Sequence, residues 1–267
     1  MKPRRIGAVV LRQFYLMRAS PTRLVPAFAW SAIDIVLWGF ITRYLATLSD
    51  QGPVLALGLL GAVLLWNFFG RIMHGVTTAF FEDVWSRNLM NLFATPLAIS
   101  EYVTGLVLTS LATGAIALTV MLALAAGVFG LSFAAYGLAF VPFLLILLLF
   151  GIGLGILASA IVLRLGPASE WLIWPIPALL SPFAAVFYPL SILPGWMQAI
   201  ARLLPPAYVF EGMRAIVAGQ PFPLHVLAVA AALAVAQVLA AYAFFVCIHR
   251  GAVRSGLLAR YSAESVG

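Results

Sequence analysis

Three ionisable residues lie deep inside long apolar runs of this sequence, and they are the first candidates for chemistry: Asp34, Arg71 and His74. Asp34 lies about ten residues inside the first run, and Arg71 about nine residues inside the matching end of the second. At a helical rise of about 1.5 Å per residue, both are roughly 14–15 Å deep. Unpaired charge in an apolar medium is costly, so the matched depth predicts a structural ion pair between Asp34 and Arg71. The alternative is a substrate or proton site.

Aromatic side chains accompany Asp34 along the first run. Trp30, Asp34 and Trp38 share one helix face at positions i, i+4 and i+8. Such a stripe is more often used for packing than for a ligand, so packing and a substrate pathway both stay open. The candidate pathway residues are Trp30, Trp38, His74, Phe183, Phe187 and Tyr188.

The residue types exclude several kinds of catalytic site. Lys2 is the only lysine, so the chain lacks the lysine that a P-loop needs to reach nucleotide phosphates. The three histidines are far apart, and neither HExxH nor GxSxG occurs. The run GIGLG lies within an apolar stretch and does not predict dinucleotide binding. Its Gly151 and Gly155, extended by Ser159, instead favour close packing of helices. We predict no catalytic residue, no metal and no bound cofactor in this chain.

The composition indicates an all-α integral membrane protein. The chain is 64% hydrophobic and 9% charged, whereas globular domains carry about 25% charged residues. The net charge is +7, but the basic residues flank apolar runs. This placement is typical of topology signals and of contact with anionic lipids, not of nucleic-acid binding. Cys247 is the only cysteine, so an intramolecular disulfide is excluded.

Six apolar runs are predicted to cross the membrane within a single transmembrane domain of residues 1–267, because a spanning helix needs about 20 apolar residues. These predicted spans are residues 24–48, 54–80, 102–129, 134–163, 171–188 and 224–248. An even number of spans puts both termini on one side. That side also carries eleven of the fifteen Lys and Arg residues, so both termini are predicted to be cytoplasmic.

The first 22 residues form an amphipathic pattern. Ile6, Val9, Val10, Phe14 and Met17 recur at helical spacing, with arginines elsewhere around the helix. We predict a helix lying on the cytoplasmic leaflet. The alternative is a frayed basic tail.

A polar segment, residues 81–102, separates the second and third spans. It carries four charged residues, Glu82, Asp83, Arg87 and Glu101, and a proline at position 96. The predicted topology places it in the cytoplasm. A charged, helix-forming segment here indicates contact with a soluble partner, and the alternative is a solvated loop without a partner.

A proline-rich segment, residues 166–223, holds ten of the sixteen prolines. Proline interrupts helices, and irregular backbone at membrane depth is tolerated where protein or a wet cavity surrounds it. Residues 189–223 are therefore predicted to form short re-entrant or interfacial helices on the external side. The residues singled out there are Pro189, Pro194, Trp196, Pro205, and the i,i+3 pair Glu211 and Arg214, which is expected to add little stability.

The polar and proline-rich segments together resemble the ABC-2 family of ABC-transporter permeases, and the resemblance covers nearly the whole chain. In that family a coupling helix follows the second span, with an acidic start, a Leu-rich helix, a proline break and a later acidic residue. The matching positions are Glu82, Leu89, Leu92, Pro96 and Glu101, with Gly105 beyond. YPLSILPGWMQAIARLLPPAYVFEGMR resembles the family's external re-entrant segment. Residues 86–90 depart from the family's Gly-Thr-Leu-Glu-like run.

The resemblance implies a half-permease whose energy comes from another chain. Two copies of a separate ATPase subunit would bind ATP and Mg²⁺, and a second copy of this chain or a related permease would complete the pathway. The coupling segment, residues 82–100, would dock into the ATPase. Its acidic residues would meet basic groups there, and its apolar residues would fill a groove. The predicted set is Glu82, Asp83, Arg87, Leu89, Leu92, Phe93, Pro96 and Glu101.

The resemblance also implies the function and location of the complex. The expected function is export of an amphipathic or lipid-like compound across the bacterial cytoplasmic membrane. Export of a lipid-linked glycan is the alternative within the family. A channel or membrane scaffold that needs no ATPase is the alternative from a different class.

Overall fold

The computed structural model describes residues 1–19, 21–48, 52–86, 88–130, 133–220 and 224–256. For residues 21–28, 52–56, 90, 133–135 and 167 it describes the backbone path alone. The described residues form α- and 3₁₀-helices joined by turns, with no strand among them. This confirms the all-α class.

Ten α-helices lie within the described ranges. In chain order they are α1 Pro3–Ala19, α2 Pro21–Thr47, α3 Gly52–Trp85, α4 Leu89–Ala94, α5 Ile99–Phe129, α6 Phe140–Leu165, α7 Ile176–Leu180, α8 Gly195–Ala201, α9 Pro205–Val217 and α10 Leu224–Arg254. Short 3₁₀ segments cover Phe133–Ala139, Pro167–Leu172 and Leu190–Ile192.

Four helical segments of the described chain are long and apolar enough to cross a membrane: Leu57–Trp85, Ile99–Phe129, Tyr136–Leu165 and Leu224–Arg254. They correspond to the predicted second, third, fourth and sixth spans. The predicted first span falls on α2, whose 27 residues correspond to about 40 Å of helix, but α2 is not among the four. The count of six spans stays a prediction.

The predicted fifth span, residues 171–188, is wrong as a continuous helix. A 3₁₀ segment, the five-residue α7 and a run of turns occupy this stretch instead. Pro175, Pro177 and Pro182 recur too closely for a helix to extend, because each removes a backbone donor. The irregular chain here packs on α3 through Trp174 and on α2 through Phe187.

The core lies where α3, α5, α6 and α10 meet. Phe69 on α3 and Phe150 on α6 have ring centroids 5.1 Å apart, and Phe80 on α3 contacts Phe245 on α10 at 6.0 Å. All four rings are buried. The α3–α5 contact includes one interhelical hydrogen bond, in which the Ser110 hydroxyl donates to the Ile72 carbonyl at 2.7 Å.

Glycines let α6 approach α3 closely. A Cβ added at Gly155 would lie 2.9 Å from the Met73 carbonyl oxygen, and one added at Gly151 would lie 3.0 Å from that of Phe69. The predicted small-residue pair therefore packs within the chain, backbone against backbone. Such close approach maximises dispersion contact where water supplies no driving force.

The proline-rich segment folds as short helices held by one carboxylate. Glu211 accepts hydrogen bonds from the Leu190 backbone N–H at 2.6 Å and from Arg214 at 2.9 Å. Arg214 also donates to the Val186 carbonyl at 3.3 Å. The predicted Glu211–Arg214 pair is present, and it also fastens the turns on either side of Pro189. Residues 221–223 lie outside the described residues, and the external location stays a prediction.

Proline and tryptophan begin and brace these short helices. Pro194 immediately precedes α8, and Pro205 occupies the first position of α9, where a missing N–H costs nothing. Trp196 on α8 packs edge-on against Phe183 with ring centroids 6.1 Å apart.

Replacing Gly155 by alanine should destabilise the chain by about 1–3 kcal/mol, because the new methyl group would overlap a backbone carbonyl oxygen of α3. Thermal unfolding of the purified protein in detergent would measure the loss. Gly127→Ala on α5 is the matched control, since no atom lies within 4 Å of an added Cβ there. Equal melting temperatures for the two variants would contradict the close α3–α6 contact.

Candidate functional site

A buried carboxylate lies where α3 turns into α4 and α5, a region that we call the elbow (residues 82–102). Asp83 is 0% exposed. Its Oδ2 accepts a 2.7 Å hydrogen bond from the hydroxyl of Tyr102, which is also fully buried. Its Oδ1 pairs with the guanidinium of Arg12 on α1. Both oxygens are thus satisfied, as a buried charge requires.

A second carboxylate of the elbow also binds α1. Glu101, in the first turn of α5, accepts hydrogen bonds from the backbone N–H groups of Ala98 at 3.0 Å and Lys2 at 2.6 Å. Arg5 approaches the same carboxylate at 3.4 Å. A carboxylate at this position caps the free N–H groups of the helix and complements its dipole. The amphipathic helix is therefore fixed to the elbow at its N-terminal end, through Arg5, and near its middle, through Arg12.

The inner face of α1 packs closely on α5. Val9 is 4% exposed, and it occupies the space above Gly105, where an added Cβ would lie 2.6 Å from a Val9 methyl group. The opposite face exposes Leu11, Phe14 and Tyr15. The predicted helix over residues 1–22 is present as α1, and its contact with a membrane surface stays a prediction.

Most of the predicted coupling side chains make contacts within this chain. Asp83 and Glu101 bind α1, Glu82 is 8% exposed, and Leu89 is 3% exposed. Leu92 and Phe93 pack on the core, with Phe93 against Tyr102 and His249 at centroid distances of 5.4 and 4.7 Å. Glu82, Asp83 and Leu89 are buried in this chain, and Leu92 and Phe93 are half-buried, so these side chains offer little surface to a partner. Their role in docking stays a prediction. Arg87 lies outside the described residues.

Other residues of the elbow form its exposed surface. This surface, which we call the tip, consists of Trp85, Ser86, Asn91, Ala94, Thr95 and Pro96. Among the predicted coupling residues, Pro96 lies on it. Trp85 is 53% exposed, which is high for the largest apolar side chain and is typical of a contact surface.

A cavity of about 660 Å³ lies next to the elbow, between α1, α2, α3, α5 and the α7 region. One face of α3 contributes polar side chains to it at spacings of three and four residues: Asn67, Arg71, His74, Thr78 and Glu82. Since α3 rises about 1.5 Å per residue, this polar face runs for roughly 22 Å. A volume of this size fits a drug-sized molecule.

Aromatic side chains line the same cavity. Trp38 stacks on Phe187 with centroids 4.9 Å apart, and His74 stacks on Trp174 at 4.8 Å. Trp30 also lines the cavity and is 69% exposed. Four of the six predicted pathway residues are thus brought together: Trp30, Trp38, His74 and Phe187.

The other two predicted pathway residues lie elsewhere. Phe183 packs on Trp196, and the Tyr188 hydroxyl donates to the Pro182 carbonyl at 2.7 Å. Neither is among the residues that line the cavity. The prediction placed them on a fifth span, and the proline-broken backbone there gives these two half-buried side chains contacts outside the cavity.

Asp34 and Arg71 line the cavity together, but the Asp34 carboxylate lies beside the Asn67 side chain. An ion pair with Arg71 is not among the contacts of Asp34 in the described part of the chain. Sequence reasoning missed Asn67 and Trp174. The sequence could have identified Asn67 as a site residue, because it is polar and lies four positions before Arg71 in an apolar run.

The cavity and the elbow are joined through adjacent residues of α1. Gln13 is 1% exposed, lines the cavity and donates to the Ala79 carbonyl of α3 at 3.1 Å. Its neighbour Arg12 holds Asp83. Met17, one turn further, also lines the cavity. Within the described residues, no three His, Cys, Asp or Glu side chains group as a metal site.

Arg12→Gln should destabilise the protein by about 3–5 kcal/mol, because it leaves the Asp83 carboxylate buried without its cation. Adding Asp83→Asn should recover part of that loss, and thermal unfolding of the single and double variants would measure both effects. Arg4→Gln, an exposed residue of the same helix, removes the same charge and should change stability little. Equal losses for Arg4→Gln and Arg12→Gln would contradict the assigned role of the pair.

Comparison with known proteins agrees with this architecture. No curated protein matches the chain. The family model described as ABC-2 type transporter matches residues 4–218, which includes α1, the elbow, the cavity helices and α9. The match covers well over half of the 267 residues, and the chain therefore belongs to the ABC-2 type transporter family.

Proposed function

We propose that this membrane subunit of an ABC transporter exports an amphipathic compound, as a homodimer driven by two copies of a separate ATPase subunit. The ATPase would bind ATP and Mg²⁺. The observation that carries the proposal is a continuous series of side-chain contacts. It runs from the exposed tip, through the elbow and α1, to the cavity. The proposed location is the bacterial cytoplasmic membrane, with both termini and the elbow in the cytoplasm.

The tip is the proposed docking surface for the ATPase. Asn91 and Ala94 of the tip lie on the short helix α4, and the other tip residues lie next to its two ends. The apolar side of α4 packs on the core through Leu89, Leu92 and Phe93. Those three residues therefore give the tip its position and stiffness. A rigid tip can transmit a displacement, whereas a flexible loop would absorb it.

The buried ion pair is the proposed transmission point. Breaking the contact between Asp83 and Arg12 would leave a buried charge uncompensated, at a cost of about 3–5 kcal/mol. The elbow and α1 therefore move together more readily than they separate. Because Gln13 and Met17 line the cavity, a shift of α1 changes the wall of the cavity. Binding energy released at the ATPase thus biases the state of the cavity.

The exposed face of α2 supports pairing with a second copy. Trp30, Ile33, Leu37, Phe40 and Tyr44 recur at alternating spacings of three and four residues, and each is more than half exposed. This is the pattern of a helix face that packs on another helix. Since Trp30 also lines the cavity, the second copy would close the cavity along this edge. The cavity volume of about 660 Å³, which fits a drug-sized molecule, favours an amphipathic compound over a glycan as the cargo.

Ala94→Glu should prevent docking, because it places a charge at the centre of the exposed tip without touching the core. We expect co-purification of the ATPase with the tagged chain to fall at least about tenfold, with the melting temperature unchanged. Ala168→Glu is the matched control, since Ala168 is exposed in the other predicted cytoplasmic connection.

The outcomes separate the transporter from a channel or scaffold. Loss of the ATPase in Ala94→Glu and retention in Ala168→Glu would support docking at the tip. A wild-type chain that purifies from its native membrane without any ATPase would contradict the proposed function.

A further inference from the structure

We propose that the cavity binds an amphipathic organic cation, with Asp34 as the group that pairs with the positive charge. The binding site is assigned from the structure of one chain, and only the statement that the cation is cargo rests on the proposed function. The charges of the side chains around Asp34, the aromatic rings beside it and the shape of the cavity support this assignment.

Asp34 is the acidic group of the cavity that the chain leaves available. It is half-buried, and its polar neighbour is the neutral Asn67 side chain. No basic side chain forms an ion pair with it among the residues that the structure describes. Arg71 and Glu82, the other charged groups of the lining, are both engaged in contacts within the chain. A ligand cation would therefore form an ion pair with Asp34 without displacing a basic side chain of the protein.

Tryptophan side chains flank Asp34 along α2 and α3. Trp30 and Trp38 lie one turn to either side of it, about 6 Å along the helix axis, and Trp66 adjoins Asn67 on α3. Phe187 stacks on Trp38 and extends this aromatic wall. Aromatic faces attract cations that lie within about 6 Å of the ring centroid. They also provide flat apolar surface for the body of the ligand.

The cavity has the size and the opening that such a ligand needs. Its volume of about 660 Å³ falls inside the usual range of about 300–1,000 Å³ for small-molecule sites. Trp30 is 69% exposed at its edge, so in the single chain one side opens along α2, and in the proposed homodimer this side would face the second copy. A carboxylate in this poorly hydrated position attracts a cation more strongly than it would in water. It repels an anion of the same shape for the same reason.

Tetraphenylphosphonium and tetraphenylborate test the sign of the preferred charge, because the two ions have nearly the same shape and opposite charge. Binding of each is measured by equilibrium dialysis against the full-length protein in phosphatidylcholine nanodiscs, with empty nanodiscs subtracted to remove partitioning into lipid. We expect saturable binding of the phosphonium ion, at least about tenfold tighter than binding of the borate. Equal affinities, or tighter binding of the borate, would overturn the proposal.

Variants assign the binding to Asp34. Asp34→Asn keeps the shape and should weaken phosphonium binding at least about tenfold, whereas Asp34→Glu should retain most of it. Glu170→Gln removes the same charge from a residue that does not line the cavity but accepts a hydrogen bond from Trp174 Nε1 at 3.2 Å. Because the glutamine side-chain oxygen keeps that acceptor, this variant should bind as the wild type does. Trp38→Leu should weaken binding without changing the preference for the cation. Wild-type affinity in Asp34→Asn would overturn the proposal.

Failure of this inference and failure of the proposed function are distinguishable. Melting temperatures of the variants show whether the fold survives. Loss of binding is assigned to the site only when the variant has the melting temperature of the wild type. If the phosphonium ion binds through Asp34 and no ATPase co-purifies, the cation site stands and the transporter proposal falls. If the ATPase docks at the tip and neither ion binds, the reverse holds.

Discussion

The buried carboxylate of Asp83 is the constraint on which the rest of the structure depends. A charge with no exposure to solvent requires compensation on every side, and here the compensation comes from Tyr102 on α5 and Arg12 on α1. Three helices that are separate in sequence are thereby held at one point. The position of α1, the shape of the elbow and the cavity wall that contains Gln13 all follow from that contact.

Helix α3 serves two opposite requirements along its length. Its carbonyl oxygens at Phe69 and Met73 face glycines of α6 at distances that exclude any side chain. The polar face that begins at Asn67 lines the cavity. Close packing on one side makes the helix rigid, and that rigidity keeps the charged groups of the other side in place. A polar face of this length in an apolar protein is costly unless such packing supports it.

The sequence predicted the parts of this structure that depend on local pattern. The helical class, the amphipathic α1, the packing of Gly151 and Gly155 and the Glu211–Arg214 pair all follow from spacing over a few residues. The burial of Asp83 could not be predicted, because its partner Arg12 is 71 residues away. The fifth span was predicted from the apolar character of residues 171–188. That character does not reveal that the closely spaced prolines prevent a continuous helix. Asp34 contacts Asn67 because of how α2 and α3 are rotated about their axes. The similar depths of Asp34 and Arg71 do not determine that rotation.

The contacts of α1 also determine when this helix can reach its final position during folding. Its anchors, Asp83 and Glu101, lie 71 and 96 residues after the arginines that they bind. During synthesis from the N-terminus, α1 is therefore made long before either anchor exists. Until then its exposed apolar residues Leu11, Phe14 and Tyr15 have no partner among these anchors, and the predicted contact with the membrane surface would cover them. Helix α1 is thus made well before it can reach its final contacts, and its docking requires that α3 and the start of α5 are already in place.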